Sequence, residues 1–180
     1  MNSLLTDLKD HIGSKKTLVI SGTQFGQTRY SLSDEKIIVL LVSGSRLHKF
    51  DLLERDMIQF YIDQQGCSQV LFVGSYDPAL LKQVHEDESP QSLRRALKFN
   101  LNVLLRDKYE RIVSPDIAAQ MLIELNVITQ CRLLMDYFFI KKKIGLSELQ
   151  LKGLVTGMNT GSLKAVFYNG IVYNDMLTSN

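Results

Sequence analysis

The chain has 180 residues, 45% of them hydrophobic, and its 21 basic side chains nearly balance 19 acidic ones for a net charge of +2. That length implies one domain with a core of its own, and that charge excludes a strong field for nucleic acid or an anionic membrane. The two cysteines, Cys67 and Cys131, give no disulfide framework and fit a reducing, cytoplasmic compartment.

Leu4, Leu5, Leu8 and Ile12 recur at helical spacing. They predict an amphipathic helix within residues 1–13, whose apolar face packs on its own subunit or on a partner's. The N-terminus lacks the basic-then-apolar pattern of a secretory signal, and no apolar run reaches the ~20 residues that span a bilayer. Residues 17–21 and the continuous run Ile37 to Val42 read as strands buried on both faces. A helix is expected over 50–64 with Leu53, Met57, Phe60 and Tyr61 inward, ended by Gly66. Gln69 to Val73 is a third strand, and Pro78 fits the first turn of a helix.

A polar loop, Glu86 to Pro90, precedes a helix from Ser92 to about Arg106. Ser114-Pro115-Asp116 then combines a capping serine, a first-turn proline and an acid near the positive end of the helix dipole. That helix runs toward Leu134 with Ile117, Met121, Leu125 and Ile128 on one side, and a further helical piece ends at Gly145. Lys141-Lys142-Lys143 is read as the favourable positive end of that piece. Residues 149–155 and 162–168 predict a hairpin around Gly157 to Gly161. Strands alternating with helices point to a parallel sheet covered on both faces.

Two strand ends carry the resemblance to a known family. Lys16-Thr17-Leu18-Val19-Ile20-Ser21-Gly22-Thr23-Gln24-Phe25-Gly26 and Gln69-Val70-Leu71-Phe72-Val73-Gly74-Ser75-Tyr76-Asp77-Pro78 resemble the two metal-binding strand ends of β-class carbonic anhydrases. Later marks follow in the family's order: Asn126-Val127-Ile128-Thr129-Gln130, Phe139-Ile140, Leu149-Gln150-Leu151-Lys152-Gly153 and Asn159-Thr160-Gly161-Ser162-Leu163. Val42-Ser43-Gly44-Ser45 stands where the family often carries an Arg-Asn-Ala-Gly-Asn run. The likeness spans roughly residues 15 to 168.

In that family Cys-x-Asp-x-Arg ends the first strand and His-x-x-Cys follows the second, and the two Cys and the His hold zinc. Here the matching positions are Gly22, Ser75 and Pro78, and the family's Asp-Arg dyad falls on Gln24 and Gly26. Glycine and proline supply no side-chain donor, and a neutral serine hydroxyl is a poor zinc ligand. Other donors do not form a recognisable set. His11 and His48 stand alone, and His85 beside Glu86-Asp87-Glu88 lacks calcium-loop spacing. Cys67 enters strand three at the wrong end, and Cys131 reads as a small core residue. Ser75 has no nucleophile-elbow pattern around it.

The expectation is therefore an α/β, β-carbonic-anhydrase-like fold in one domain, 1–180, with a central mostly parallel sheet, a C-terminal antiparallel hairpin strand and flanking helices. The resemblance implies a homodimer or higher homo-oligomer. The function expected is that of a cytoplasmic pseudoenzyme, not an enzyme, without zinc or other cofactor, which binds a partner protein in a scaffolding or regulatory role. The alternatives are a small-anion or metabolite sensor using the vestigial pocket, or a hydratase-like enzyme with a rebuilt metal site. That pocket is assigned to Gly22, Gln24, Gly26, Ser43, Arg46, Ser75, Asp77 and Pro78, at the carboxyl ends of the strands where connections diverge. No nucleic-acid or membrane partner is expected.

Overall fold

The computed structural model describes residues 8–22, 35–42, 47, 51–74, 115–156 and 162–173. Aliphatic, β-branched runs form the parallel strands β1 (Thr17–Gly22), β2 (Ile37–Val42), β3 (Gln69–Gly74) and β4 (Gln150–Thr156). The antiparallel strands β5 (Leu163–Tyr168) and β6 (Ile171–Val172) follow. The six-stranded sheet has the order β2-β1-β3-β4-β5-β6. Among the described residues, beside a short helical stretch at 8–12, the helices are α1 (Leu52–Asp63), α2 (Pro115–Asp136) and α3 (Phe138–Gly145). This is the α/β architecture expected from the sequence, with a mostly parallel sheet and an antiparallel C-terminal hairpin.

Strand alternation divides the core in two. Leu18, Ile20, Val70, Phe72, Leu151 and Val155 face one side, where they pack with Ile58 and Ile62 of α1, Val127, Cys131 and Leu134 of α2, and Ile140 of α3. Val19, Leu71, Val73 and Leu154 face the other side, where Leu8 and Ile12 of the helical stretch 8–12 cover them. That stretch therefore buries part of its apolar face within its own chain.

The inward face of α1 differs from the expected one. Ile58 and Ile62 are its buried residues and Met57 and Tyr61 flank them, whereas Leu53 and Phe60 are exposed. The i, i+4 isoleucine pair meets the sheet and leaves the 53/60 pair about half a turn away, on the opposite side of the helix. Asp51 caps this helix, accepting from the Leu53 and Glu54 amides at 2.9 and 3.1 Å. Gly66, at φ +70°, makes the left-handed turn after it.

Helix α2 starts at Pro115 as expected, but its core stripe passes through Ile123, Val127, Ile128, Cys131 and Leu134, with Leu125 half-buried. It runs antiparallel to β3 and β4 and lies close against them. A Cβ on Gly74 would overlap Val127 Cγ2. One on Gly153 would come within 2.8 Å of Val127 Cγ1 and 2.9 Å of Cys131 Sγ. Between β4 and β5 the register shifts at Gly153/Leu154. The skipped Val166 finds another partner, its carbonyl accepting from the Tyr173 amide at 2.9 Å. Strand β6, absent from the sequence reading, follows the turn at Asn169 (φ +45°) and Gly170 (φ +99°).

Candidate functional site

The chain leaves β1 for β2 on one side and then crosses back over β1 to reach β3 on the other. The connections thus diverge on either side of β1, which makes the carboxyl end of that strand a topological switch point. Register places the strand ends side by side there: Gly22 opposite Val42, Ser21 opposite Val73, and Gly74 opposite Val155. Each of the three loops assigned to the pocket starts from one of these ends. Gly22 lies within the described residues; Gln24, Gly26, Ser43, Arg46, Ser75, Asp77 and Pro78 lie outside them.

Around Gly22 the described side chains are committed to the fold. The buried Ser21 hydroxyl donates to the Val73 carbonyl at 2.9 Å, closing β1 onto β3 just below the edge. On the β2 side, the buried Leu47 amide donates to Gln130 Oε1 at 2.9 Å, while Gln130 Nε2 donates to Asn126 Oδ1 at 3.3 Å. Helix α2 thereby fixes the exit of the loop that carries Ser43 and Arg46.

Sequence reading missed Glu124 as a residue near this edge. It is buried, accepts from Gln120 Nε2 at 3.1 Å, and faces Lys164 Nζ at 3.9 Å. Because Ile123 touches Gly74, Glu124 belongs to the part of α2 over the carboxyl edge. The available signal was an acid at helical spacing (124, 128, 131) with buried apolar residues.

The cysteines stand apart from that edge. Cys131 is buried under Gly153, and burial drives its thiol far above the ordinary value of 9.0. Cys67 is also buried near the amino end of β3, and burial outweighs the opposing effect of Lys16 to raise its pKa. Neither is poised as a thiolate.

The family resemblance implies zinc at positions 22, 75 and 78, and the residues there do not fit it. Gly22 is paired backbone without a donor side chain, and the adjacent Ser21 hydroxyl is used within the sheet. A serine and a proline complete a set lacking thiolate and imidazole. Among the described residues no group of three or more His, Cys, Asp or Glu is placed to hold a metal ion, and no helix is long and apolar enough to cross a membrane.

No protein-family model matches the sequence, and no curated protein matches it significantly. Solved structures do. A mutant of the β-carbonic anhydrase CafD of Aspergillus fumigatus superposes with a TM-score of 0.70 at 16% identity, covering 92% of this chain and 96% of that one. One of two tetrameric β-carbonic anhydrases from Sordaria macrospora gives 0.68 at 14%, covering 92% of each. The Coccomyxa β-carbonic anhydrase in complex with acetazolamide gives 0.65 at 17%, covering 92% and 80%. The chain has the β-carbonic anhydrase fold.

These matches correct the expectation of a non-enzyme. The structures named here that share the fold are of enzymes, the β-carbonic anhydrases.

Proposed function

We propose that the chain shares ancestry with the β-carbonic anhydrases and that the carboxyl edge of β1, β2 and β3 binds a small anion of the bicarbonate class. Arg46 supplies the charge, and Gln24, Ser43, Ser75 and Asp77 supply hydrogen-bonding groups. Gly22 and Gly26 let the backbone approach the ligand closely. Gly22, Ser75 and Pro78 do not hold zinc in this reading. The observation that carries it is the meeting of Gly22, Val42 and Gly74 at the switch point, the residues from which all three polar loops depart.

The same reading makes the chain a cytoplasmic homo-oligomer. Strand β2 is a sheet edge made only of aliphatic residues, with Ile37, Ile38, Val39 and Leu41 half-buried, a surface suited to pairing with a second copy. The similar Sordaria enzymes are tetrameric.

The test is calorimetric titration with sodium bicarbonate at fixed ionic strength, with zinc content and oxygen-18 exchange of bicarbonate measured on the same sample. Saturable binding is expected, weakened about tenfold or more by Arg46→Ala and also weakened by Gln24→Ala, with zinc well below one per chain. Absence of saturable binding, or binding that disappears when a chelator strips a stoichiometric zinc, would overturn the reading. Exchange activity in the zinc-poor sample would extend it to turnover.

A further inference from the structure

At the opposite end of the strands, α3 and the last residue of α1 border a cleft of about 400 Å³. Its walls are apolar and exposed: Phe138 at the start of α3 is 79% accessible and Leu146 just past its end is 57%. Phe139, also in the lining, is half-buried and lies parallel to the Tyr137 ring at 5.7 Å, which fixes its orientation.

The charges in the cleft are unequally engaged. Lys143 Nζ lies 3.2 Å from Asp63 Oδ1 and 3.8 Å from Glu148 Oε2, so both acids of the lining lean on one ammonium. Lys142, the other lining cation, has no carboxylate within ion-pair distance among the described residues. Among the described residues, one uncommitted positive charge therefore stands in the lining with an apolar wall and a group of charges that satisfy one another. The volume is at the small end of the range for ligand sites. Bicarbonate has no apolar body to use these walls, so the ligand of this cleft differs from that of the carboxyl edge.

We propose that this cleft binds a small monocarboxylate with an aromatic or branched aliphatic body, the body lying among Phe138, Phe139 and Leu146 and the carboxylate on Lys142 Nζ. Apolar burial supplies the attraction, and the Lys142 ammonium selects an anion over a cation or a neutral molecule.

The test uses the full chain labelled with nitrogen-15 and titrated at low salt with 3-phenylpropionate as the probe. Propionate and 3-phenylpropylamine serve as comparisons. Saturable amide shifts confined to residues 138–148 are expected with phenylpropionate, with affinity falling about tenfold or more in Lys142→Glu. Phe138→Ala, and either comparison compound, should weaken binding by similar factors. Both substituted side chains are exposed, so the variants should retain the wild-type amide spectrum elsewhere.

Equal response to the acid and the amine, unchanged affinity in Lys142→Glu, or shifts centred away from α3 would each overturn the proposal. So would dissociation of an oligomer by Phe138→Asp in light scattering, which would make this face a contact between copies of the chain.

Discussion

At the amino ends of β1, β3 and β4 a buried polar chain ties the strands together, whereas at the carboxyl ends β1 and β3 finish in glycines. Thr17 and Gln69 are fully buried at the amino edge. The Thr17 hydroxyl lies 3.0 Å from the Lys15 carbonyl and 3.3 Å from Gln69 Oε1. Gln69 Nε2 donates to the His11 carbonyl at 2.9 Å, and Lys152 Nζ donates to the same oxygen at 3.1 Å. Burial, assisted by Lys15, lowers the Lys152 pKa. At the other end the close neighbours of Gly74 are Val127 and Ile123. One edge spends its polar groups on holding the fold. The other is held by close backbone approach and by the Ser21–Val73 bond just below it, with no comparable buried side-chain network among the described residues at Gly22 and Gly74 themselves.

The sharpest way to break that comparison is to add a methyl group where α2 touches the sheet. Gly74→Ala and Gly153→Ala are each expected to lower the unfolding free energy by about 1–3 kcal/mol, measured by urea denaturation. Gly74→Ala should be the costlier, because its Cβ would overlap Val127 Cγ2 more deeply than a Cβ on Gly153 meets any of its neighbours. Wild-type stability in both variants would show that α2 slides away freely and that close approach does not fix the carboxyl edge.

Much of this arrangement was legible in the sequence, and the exceptions have physical reasons. The apolar stretches at 17–21, 37–42 and 69–73 read as buried strands, each within a residue of its observed end, and Ser114-Pro115-Asp116 marked the start of α2. The inward face of α1 was misread because Leu53 and Phe60 are as apolar as Ile58 and Ile62, and periodicity alone admits either pair. Strand β6 was missed although Asn169-Gly170 is a strong hairpin signal, because Ile171–Val172 is only two residues long. The pocket residues were placed by analogy with strand-end motifs. Structure supplies the convergence of their anchors, and Gly22 is the one member of that set among the described residues. Glu124 and the Gln130–Leu47 tie depend on side chains meeting across long sequence separations, which one sequence does not display.

A smaller effect is expected from the amino edge. Gln69→Leu removes the amide that links Thr17 to the His11 carbonyl, yet neither end is left bare. Thr17 can turn fully to Lys15, and the His11 oxygen keeps Lys152. The expected loss is therefore about 1–2 kcal/mol, below that of a buried group with no second partner. Thr17→Val in the Gln69→Leu background should add less than Thr17→Val alone, since the two side chains share one bond. Full additivity in a double-mutant cycle would mean that the chain of contacts is not a chain energetically.

The smallest effect belongs to the solvent-facing tie at the same edge. Lys143 joins α3 to the end of α1 through Asp63, with both side chains 29% exposed, so solvent already weakens their attraction. Lys143→Ala is expected to change stability by about 0–1 kcal/mol, and the coupling in a cycle with Asp63→Ala should shrink in 0.5 M salt. The same substitution has a second consequence that stability does not report. With Lys143 gone, Asp63 and Glu148 are left uncompensated in the lining of the cleft, and Lys142 becomes the nearest cation to serve them. Phenylpropionate binding should then weaken although Lys142 itself is intact. A Lys143→Ala variant that kept both its stability and its full affinity for the probe would show that the two lysines do not divide the charges of this cleft between a structural and a binding role.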